Sequence, residues 1–155
     1  RTLPDFLASA RYEGRDSVAT MANAMDVGDP SNAERLRWLH PDIGALRAAV
    51  SADTVDDATI AARIREGESR YGQVWCPHTA CAVEVLQRRR AAGDAAPLCV
   101  VATAHPAKFE TVVEPLVGHA VPLPPALAAM LARPARDEPL AAEYGALRER
   151  LLQLL

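Results

Sequence analysis

The stretch Leu98-Cys99-Val100-Val101-Ala102-Thr103-Ala104-His105-Pro106-Ala107-Lys108-Phe109 decides how the rest of this sequence is interpreted. It begins with a short apolar run, from Leu98 to Ala102, that is typical of a buried β-strand. Thr103 follows the run, and Pro106 is placed to open a helix, because the N–H that proline lacks is not needed in the first turn. A strand, a polar residue and a helix start in this order are typical of ligand sites in open α/β sheets, where ligands lie beyond the carboxyl ends of the strands. The stretch therefore predicts a ligand site at Thr103.

Helical patterns alternate with short apolar runs along the chain, which predicts an α/β fold that is mostly helical with a few short parallel strands. Helices are expected at about 32–39, 41–50, 57–70, 77–92, 106–118, 124–131 and 140–154, with a helical turn or strand near 4–9. Short strands are expected at 17–22, 73–75, 98–102 and 121–123. Asp56 is the predicted N-cap of the helix over 57–70, and Gly72 is its predicted stop.

Composition excludes several classes of function. The chain has 155 residues, the length of one domain, and half of them are hydrophobic. Its 17 basic and 20 acidic residues give a net charge of −3, so no basic surface for nucleic acid is expected. No apolar run approaches the roughly 20 residues that cross a bilayer. Three irregularly spaced cysteines fit a reducing cytoplasm better than a disulfide framework.

A second informative stretch runs from Asn23 to Asn32, where Gly28 and Pro30 interrupt regular structure. Ser31 and Glu34 have the spacing of a capping box at the start of a helix. The N–H groups of such a helix start can receive an anion. An ordinary helix cap after a turn explains the same pattern, and the residues alone favour that interpretation.

The segment from Cys76 to Cys81 contains two thiols and the imidazole of His78. A structural zinc site needs four ligands, usually as two close pairs, and no second pair is present. A Cys–His nucleophilic pair is also possible, but the sequence offers neither a third member nor an oxyanion hole. Core cysteines and a histidine at a helix start are the favoured interpretation.

Lys108 is the only lysine of the chain, so it is the only candidate for a Schiff base. It falls in the first turn of a predicted helix, where a side chain points to solvent or to an anion, and this favours a structural or anion-binding role. The hydroxyl of Thr103 or the ring of His105 can cap the turn that follows. The residues by themselves do not decide between capping and ligand binding.

Four segments match the motifs of one enzyme family in order and separation. Leu3-Pro4-Asp5-Phe6-Leu7 with Tyr12 resembles V-P-x-F-L…Y, and Thr20 to Arg35 resembles S-N-A-M-D-V-G-x-P-S-N-x-E-R. Pro77-His78-Thr79-Ala80 resembles D-P-H-T-A, and Thr103 to Phe109 resembles T-A-H-P-A-K-F. The chain thus resembles the C-terminal part of threonine synthases, which are pyridoxal-phosphate enzymes of the second fold type.

The resemblance implies that residues 1–155 form one C-terminal domain of a longer, cytoplasmic enzyme. Such an enzyme is a lyase of threonine biosynthesis that converts O-phospho-L-homoserine and water to L-threonine and phosphate. Its partners are this small substrate and the N-terminal part of the same enzyme, with no nucleic acid and no membrane. Pyridoxal 5′-phosphate supplies the electron sink, and the protein orients it.

The resemblance also implies site residues. In enzymes of this fold type a serine or threonine hydroxyl faces the pyridine nitrogen, and Thr103 matches that position. The substrate-site candidates are Asn23, Asp26, Ser31, Asn32 and Lys108. We expect Ser31 to lie within about 15 Å, roughly the length of a ten-residue helix, of Thr103. No metal ligand is expected.

The sequence departs from the family pattern in ways that limit what it can do alone. The family's Schiff-base lysine and glycine-rich phosphate loop lie upstream of the matched motifs, so no catalytic residue is expected here. The chain also opens as if cut from something longer, and we expect this piece by itself to be inactive. Cys76 stands where the motif has an aspartate. Two alternatives stay open: a truncated relative that serves as a binding module, and another pyridoxal lyase of the second fold type.

Overall fold

A computed structural model describes residues 1–23, 26–134 and 137–154 of the chain. Ala24 and Met25 of the second motif lie outside the described residues. Within the described residues the structure has eight α-helices: α1 (Thr2–Ser9), α2 (Ala33–Leu39), α3 (Ile43–Ala49), α4 (Asp57–Tyr71), α5 (Pro77–Ala91), α6 (Glu110–Val117), α7 (Pro125–Leu131) and α8 (Tyr144–Leu152). A 3₁₀ helix, Pro106–Phe109, leads directly into α6.

The chain forms two compact units, Arg1–Pro122 and Leu123–Leu155. The first contains α1 to α6 and all the predicted site residues. The second contains α7 and α8, neither of which buries a residue, and an ion pair of 2.7 Å between Arg150 and Glu138. None of the described helices combines the length and the apolar character that crossing a membrane requires.

The long helices begin and end where the sequence predicts. Asp56 caps α4 by accepting a hydrogen bond of 2.8 Å from the backbone N–H of Thr59, and Gly72 ends it with a φ of 65°. Pro77 is the first residue of α5. Gly118 ends α6 with a φ of 82°. These caps satisfy backbone groups that a helix end leaves unpaired, so the signals act locally and are readable from sequence.

The core of the first unit lies between α4, α5 and the 3₁₀–α6 segment. Ile60 and Ile64 of α4 face Ala80 of α5, and Phe109 and Val113 close the cluster from the third side. Ile64 and Val113 are completely buried. Burial of such side chains stabilises a fold by about 1.5–3 kcal/mol each. Ile60 and Ile64 are thus among the residues with which α4 faces the core.

The described residues contain no β-strand, so the four short strands predicted from apolar runs are not formed among them. At the most important one, residues 98–102, Leu98 is 38% exposed and Val101 is 67% exposed. The backbone of this run makes no hydrogen bond with another described segment. A strand exists only when a neighbouring strand accepts and donates its backbone hydrogen bonds. Among residues 1–23, 26–134 and 137–154 no such neighbour is folded beside it.

Three further predictions are corrected in detail. The capping box is not formed: α2 begins after a turn in which Ala33 N–H donates to the Pro30 carbonyl, and Asn32 is the N-cap without a side-chain hydrogen bond. The chain enters the helix through turns, which leaves Ser31 no cap to make. The helix over 106–118 starts with a 3₁₀ turn, and the last helix spans only Tyr144–Leu152.

Candidate functional site

An open cavity of about 530 Å³ lies beside the segment that ends the predicted strand. One wall is Ala102, Ala104, His105 and Pro106. The rest of its lining comes from the start of α5, the residues before it and the link after α6, namely Gln73, Val74, Trp75, Cys76, Thr79, Val121 and Pro122. We call this the first cavity. Its position beyond residue 102 is where the sequence predicts a ligand site.

Thr103 lies on the surface of this region. Its side chain is exposed, and its hydroxyl makes no hydrogen bond with the residues that the structure describes. Both of its neighbours, Ala102 and Ala104, line the first cavity, while Thr103 is not among the lining residues. The hydroxyl is thus available to a partner outside the described chain. Its proposed contact with a cofactor stays a prediction.

The sequence offers both Thr103 and His105 as caps of the turn that follows, and in the structure His105 is the cap. Its Nδ1 accepts a hydrogen bond of 3.2 Å from the backbone N–H of Ala107. The 3₁₀ helix Pro106–Phe109 begins directly after it, with proline in the first position as predicted. The local turn therefore does not need Thr103.

Lys108 lies in the 3₁₀ helix, and its exposed side chain has Nζ 5.9 Å from the centroid of the Phe109 ring. At this distance the ring face attracts the ammonium weakly. Lys108 forms no ion pair within the described part of the chain. It does not line the first cavity. Its role as a substrate-site candidate stays a prediction.

Cys76 is the N-cap of α5 and is buried. Its Sγ lies 3.4 Å from the Thr79 backbone nitrogen, from which it accepts, and 3.2 Å from Thr79 Oγ1. Asparagine and aspartate are favoured at N-caps because their oxygens accept this hydrogen bond. The thiol thus makes the contact that an aspartate at an N-cap makes, with a weaker acceptor.

Neither a metal site nor a reactive thiol is indicated at Cys76 or Cys81. No group of three or more His, Cys, Asp or Glu side chains within 1–23, 26–134 and 137–154 is arranged to hold a metal ion. Burial raises the pKa of the Cys81 thiol, which disfavours the thiolate that a nucleophile needs. Core packing of Cys76, the interpretation favoured by the sequence, agrees with its burial.

Gly28 of the second motif is in close contact with the backbone of an earlier segment. The Arg15 N–H donates to the Gly28 carbonyl at 3.1 Å, and Thr2 Oγ1 donates to the same carbonyl at 2.9 Å. A Cβ at Gly28 would lie 2.0 Å from the Arg15 carbonyl oxygen. Only glycine fits this approach, so its presence in the motif has a steric reason that the sequence alone did not reveal.

Tyr12 connects the first two matched motifs. Its hydroxyl donates to Asp29 Oδ1 at 2.8 Å and lies 3.2 Å from the Pro30 carbonyl oxygen. The hydrogen bond with Asp29 raises the pKa of Tyr12, and desolvation and the charge of Asp29 act in the same direction. Sequence reasoning had matched Tyr12 to a motif but assigned it no contact. Two family motifs that are distant in sequence thus form one structural element.

A second cavity, of about 590 Å³, lies against this element. Among the substrate-site candidates it includes only Asp26, which accepts a hydrogen bond of 2.8 Å from Thr20 Oγ1. Asn23, Ser31 and Asn32 are exposed and are not among its lining residues. Of the motif's candidates, Asp26 thus lines this cavity and Asn23, Ser31 and Asn32 do not. The expected closeness of Ser31 to Thr103 stays a prediction.

Arg88 holds two residues that line the second cavity, Asp53 and Thr54. Its Nη1 donates to Asp53 Oδ2 and to the Thr54 carbonyl, both at 2.9 Å, and Asp53 and Thr54 line the cavity. The backbone N–H of Thr54 and the guanidinium of Arg88 both lower the pKa of Asp53. The sequence alone does not reveal that Arg88 holds this loop, because its partner Asp53 lies 35 residues away.

Comparisons with known proteins agree with the resemblance in the sequence. Residues 79–150 match the family model described as threonine synthase, C-terminal. Over 99% of its length the chain is 36% identical to a threonine synthase of Serratia marcescens, and over 97% it is 34% identical to that of Escherichia coli K12. In both cases it spans 35% of the relative. The chain is thus about a third of the length of the curated relatives it matches.

Solved structures give the same result. The threonine synthase of Escherichia coli aligns with 99% of the chain at a TM-score of 0.71 and 29% identity, and the chain covers 35% of it. A PLP-bound threonine synthase from Brucella melitensis aligns with 98% of the chain at a TM-score of 0.71 and 27% identity, with 38% covered. The predicted resemblance to the C-terminal part of threonine synthases is confirmed.

Proposed function

Because the chain is similar over nearly its whole length to the C-terminal third of threonine synthases, we propose that it is the C-terminal part of a threonine synthase. The whole protein would convert O-phospho-L-homoserine and water to L-threonine and phosphate in the cytoplasm. The observation that carries the proposal is the segment 98–105. It is apolar, has no backbone partner among the described residues, lies beside a cavity and contains a free threonine hydroxyl.

In the whole protein, residues 98–102 would become one of the short parallel strands of an α/β fold. Leu98 and Val101 are exposed in the chain as described, and exposing them to water costs about 25 cal/mol per Å² of apolar surface. The missing two thirds of the protein would supply the neighbouring strands and cover these side chains. Its N-terminal part is therefore the chain's main partner in this proposal.

The residues of the chain offer a partner for the pyridine nitrogen of pyridoxal phosphate but no glycine-rich loop for its phosphate. A free neutral hydroxyl at Thr103 suits the pyridine nitrogen, with which it can form a hydrogen bond of about 1 kcal/mol net. The Nζ of Lys108 lies over the ring of Phe109 in the first helical turn. The sequence also has no glycine cluster that would hold the phosphate. The lysine that bonds the cofactor and the phosphate loop would come from the upstream part.

The chemistry in this proposal is divided between the cofactor and the protein. When bound, pyridoxal phosphate supplies the electron sink that the replacement requires. Thr103 would orient the ring through its hydroxyl without forcing a proton onto the nitrogen, because a neutral hydroxyl shares its own proton. Asp26, Ser31, Asn32, Asn23 and Lys108 would shape or bind the substrate side of the cleft.

Thr103→Val in the full-length protein tests this assignment. The variant keeps the shape of the side chain and removes the hydroxyl, so we expect weaker cofactor binding and slower turnover with unchanged thermal stability. Thr103→Ser restores the hydroxyl and serves as the control. Cofactor affinity is measured by equilibrium titration, and turnover by phosphate release. Wild-type values for Thr103→Val would show that the family role does not transfer to this position.

Two experiments separate the proposal from its alternatives. Threonine formation from O-phosphohomoserine by the full-length protein distinguishes a threonine synthase from another pyridoxal lyase of the second fold type. The piece 1–155 mixed with pyridoxal phosphate should not develop the absorbance of a lysine-bound cofactor. If such a band appeared and was lost in Lys108→Ala, Lys108 would be the lysine that bonds the cofactor. The expectation that the piece is inactive because it lacks such a lysine would then be wrong. A gene that encodes no upstream part would favour the binding module.

A further inference from the structure

The ring of His105 is held in one tautomer. Its Nδ1 accepts the hydrogen bond from the Ala107 N–H at 3.2 Å, and a ring nitrogen that accepts carries no proton. The neutral imidazole therefore carries its proton on Nε2, as this hydrogen-bond network assigns it. The cap also fixes the orientation of the ring, so that Nε2–H is a donor in a defined position two residues beyond Thr103.

This donor has no partner in the part of the chain that the structure describes. No described residue forms a hydrogen bond with His105 Nε2. His105 is exposed and lines the first cavity. Once the rest of a longer protein covers this face, an unpaired N–H would cost about 1–3 kcal/mol. The donor therefore needs an acceptor in the assembled protein.

The chemistry of the first cavity indicates what that acceptor is. Its lining contains no carboxylate and no cationic side chain, and its polar members besides His105 are Gln73, Cys76, Thr79 and the indole N–H of Trp75. An anionic oxygen entering this cavity therefore meets neutral hydrogen-bonding groups and no opposing negative charge. Hydrogen bonds to charged groups are stronger than those between neutral groups.

We propose that His105 is a specificity-determining residue that donates its Nε2–H to a phosphate oxygen of a ligand bound beside Thr103. The inference rests on the proposed function, which brings two phosphate monoesters to this region, the substrate and the cofactor. The shared chemistry is the phosphate oxygen. The experiment distinguishes the two sources.

Two substitutions in the full-length protein separate the cap from the donor. His105→Asn places an amide oxygen near the position of Nδ1, so it keeps the cap and removes the Nε2 donor. His105→Gln reaches the position of Nε2 with its amide N–H and gives up the cap. We expect His105→Asn to unfold at the wild-type temperature but to lose about 10- to 100-fold in phosphate affinity. His105→Gln should retain more of that affinity and unfold at a lower temperature.

The readouts identify the source of the phosphate. A weaker inhibition constant for inorganic phosphate together with a raised KM for O-phosphohomoserine assigns the contact to the substrate. A weaker equilibrium constant for pyridoxal phosphate, measured without substrate, assigns it to the cofactor. Wild-type values for all three in His105→Asn would overturn the proposal and leave His105 as a cap only.

The inference and the proposed function fail in different ways. A wild-type protein that binds pyridoxal phosphate and inorganic phosphate but forms no threonine would overturn the proposed function, and the phosphate titration of His105→Asn would still decide the inference. A wild-type protein that binds neither ligand would overturn both. Equal loss of stability in His105→Asn and His105→Gln, without a change in phosphate affinity, would show that Nε2 bonds to the rest of the chain.

Discussion

The core between α4, α5 and α6 and the segment 98–105 are both apolar, but they differ in how far other described residues bury their side chains and pair with their backbone. In the core, Ile64 and Val113 are completely buried by helices of the same chain. In the segment, Val101 is 67% exposed and the backbone has no partner among the described residues. Helices satisfy their own backbone, whereas a strand depends on a neighbour. The comparison separates a core that this chain completes by itself from a segment whose backbone would need a neighbouring strand.

The largest expected effect is on the free energy of unfolding, when one residue from each region is replaced by alanine and the two losses are compared. Ile64→Ala should destabilise the full-length protein by about 2–5 kcal/mol, because it leaves a cavity in a closed core. Val101→Ala should cost about 1–3 kcal/mol in the full-length protein, where the strand is covered, and close to nothing in the piece 1–155. Urea unfolding measures both. If Val101→Ala were equally mild in the full-length protein, the segment would not be a covered strand.

An intermediate effect is expected at Gly28, which is packed within the chain as the core is. Gly28→Ala brings Cβ to 2.0 Å from the Arg15 carbonyl oxygen, and the resulting displacement should cost about 1–3 kcal/mol. Gly145→Ala is the matched control, since a Cβ there meets nothing within 4 Å, and it should be neutral or stabilising in α8. Thermal unfolding of the full-length variants checks the pair, and equal melting temperatures would show that the close approach is not present in solution.

The smallest expected effect concerns a surface contact between α4 and the residues that follow α6. His119 Nε2 lies 2.8 Å from Glu68 Oε2, and the backbone carbonyl of Ala120, followed by Glu68, raises the pKa of His119. Because the folded pKa is raised, this stabilisation is fully present below the ordinary pKa of about 6.5 and is lost as the pH rises through the folded value. Unfolding of Glu68→Gln across this range should show a weaker pH dependence, and a slope identical to wild type would exclude the contact.

The helices could be predicted from the sequence because their signals are local. Asp56 and Gly72 mark the ends of α4, and Pro77 marks the start of α5, through contacts within one or two turns. The capping box at Ser31 is not formed because the Glu34 N–H, from which the Ser31 side chain would accept, donates to the Ser31 carbonyl at 3.1 Å. The strand predicted at 98–102 is not formed among the described residues, because an apolar run does not reveal whether a neighbouring strand is present to pair with it.

The candidate site was predictable only where a motif gave it. Thr103 was identified from its place after an apolar run and from the resemblance, and nothing in the structure tests its cofactor contact. The contacts of Tyr12 with Asp29 and of Arg88 with Asp53 join residues 17 and 35 positions apart. No spacing rule in a single sequence predicts such pairs. The cap made by His105 was one of two possibilities, and only the 3.2 Å hydrogen bond decides between them.

The exposed run 98–102 also bears on how such a protein is synthesised. A short, uncharged, β-prone segment with free backbone groups is a site at which chains add to one another and aggregate. In the proposed full-length protein this part would be C-terminal, as in the family model that it matches, and the ribosome would make the segment after the upstream part has emerged. Domains that are made first fold first. The segment would therefore leave the ribosome beside its folded partner, whereas the same residues made at the N-terminus would wait unpaired for it.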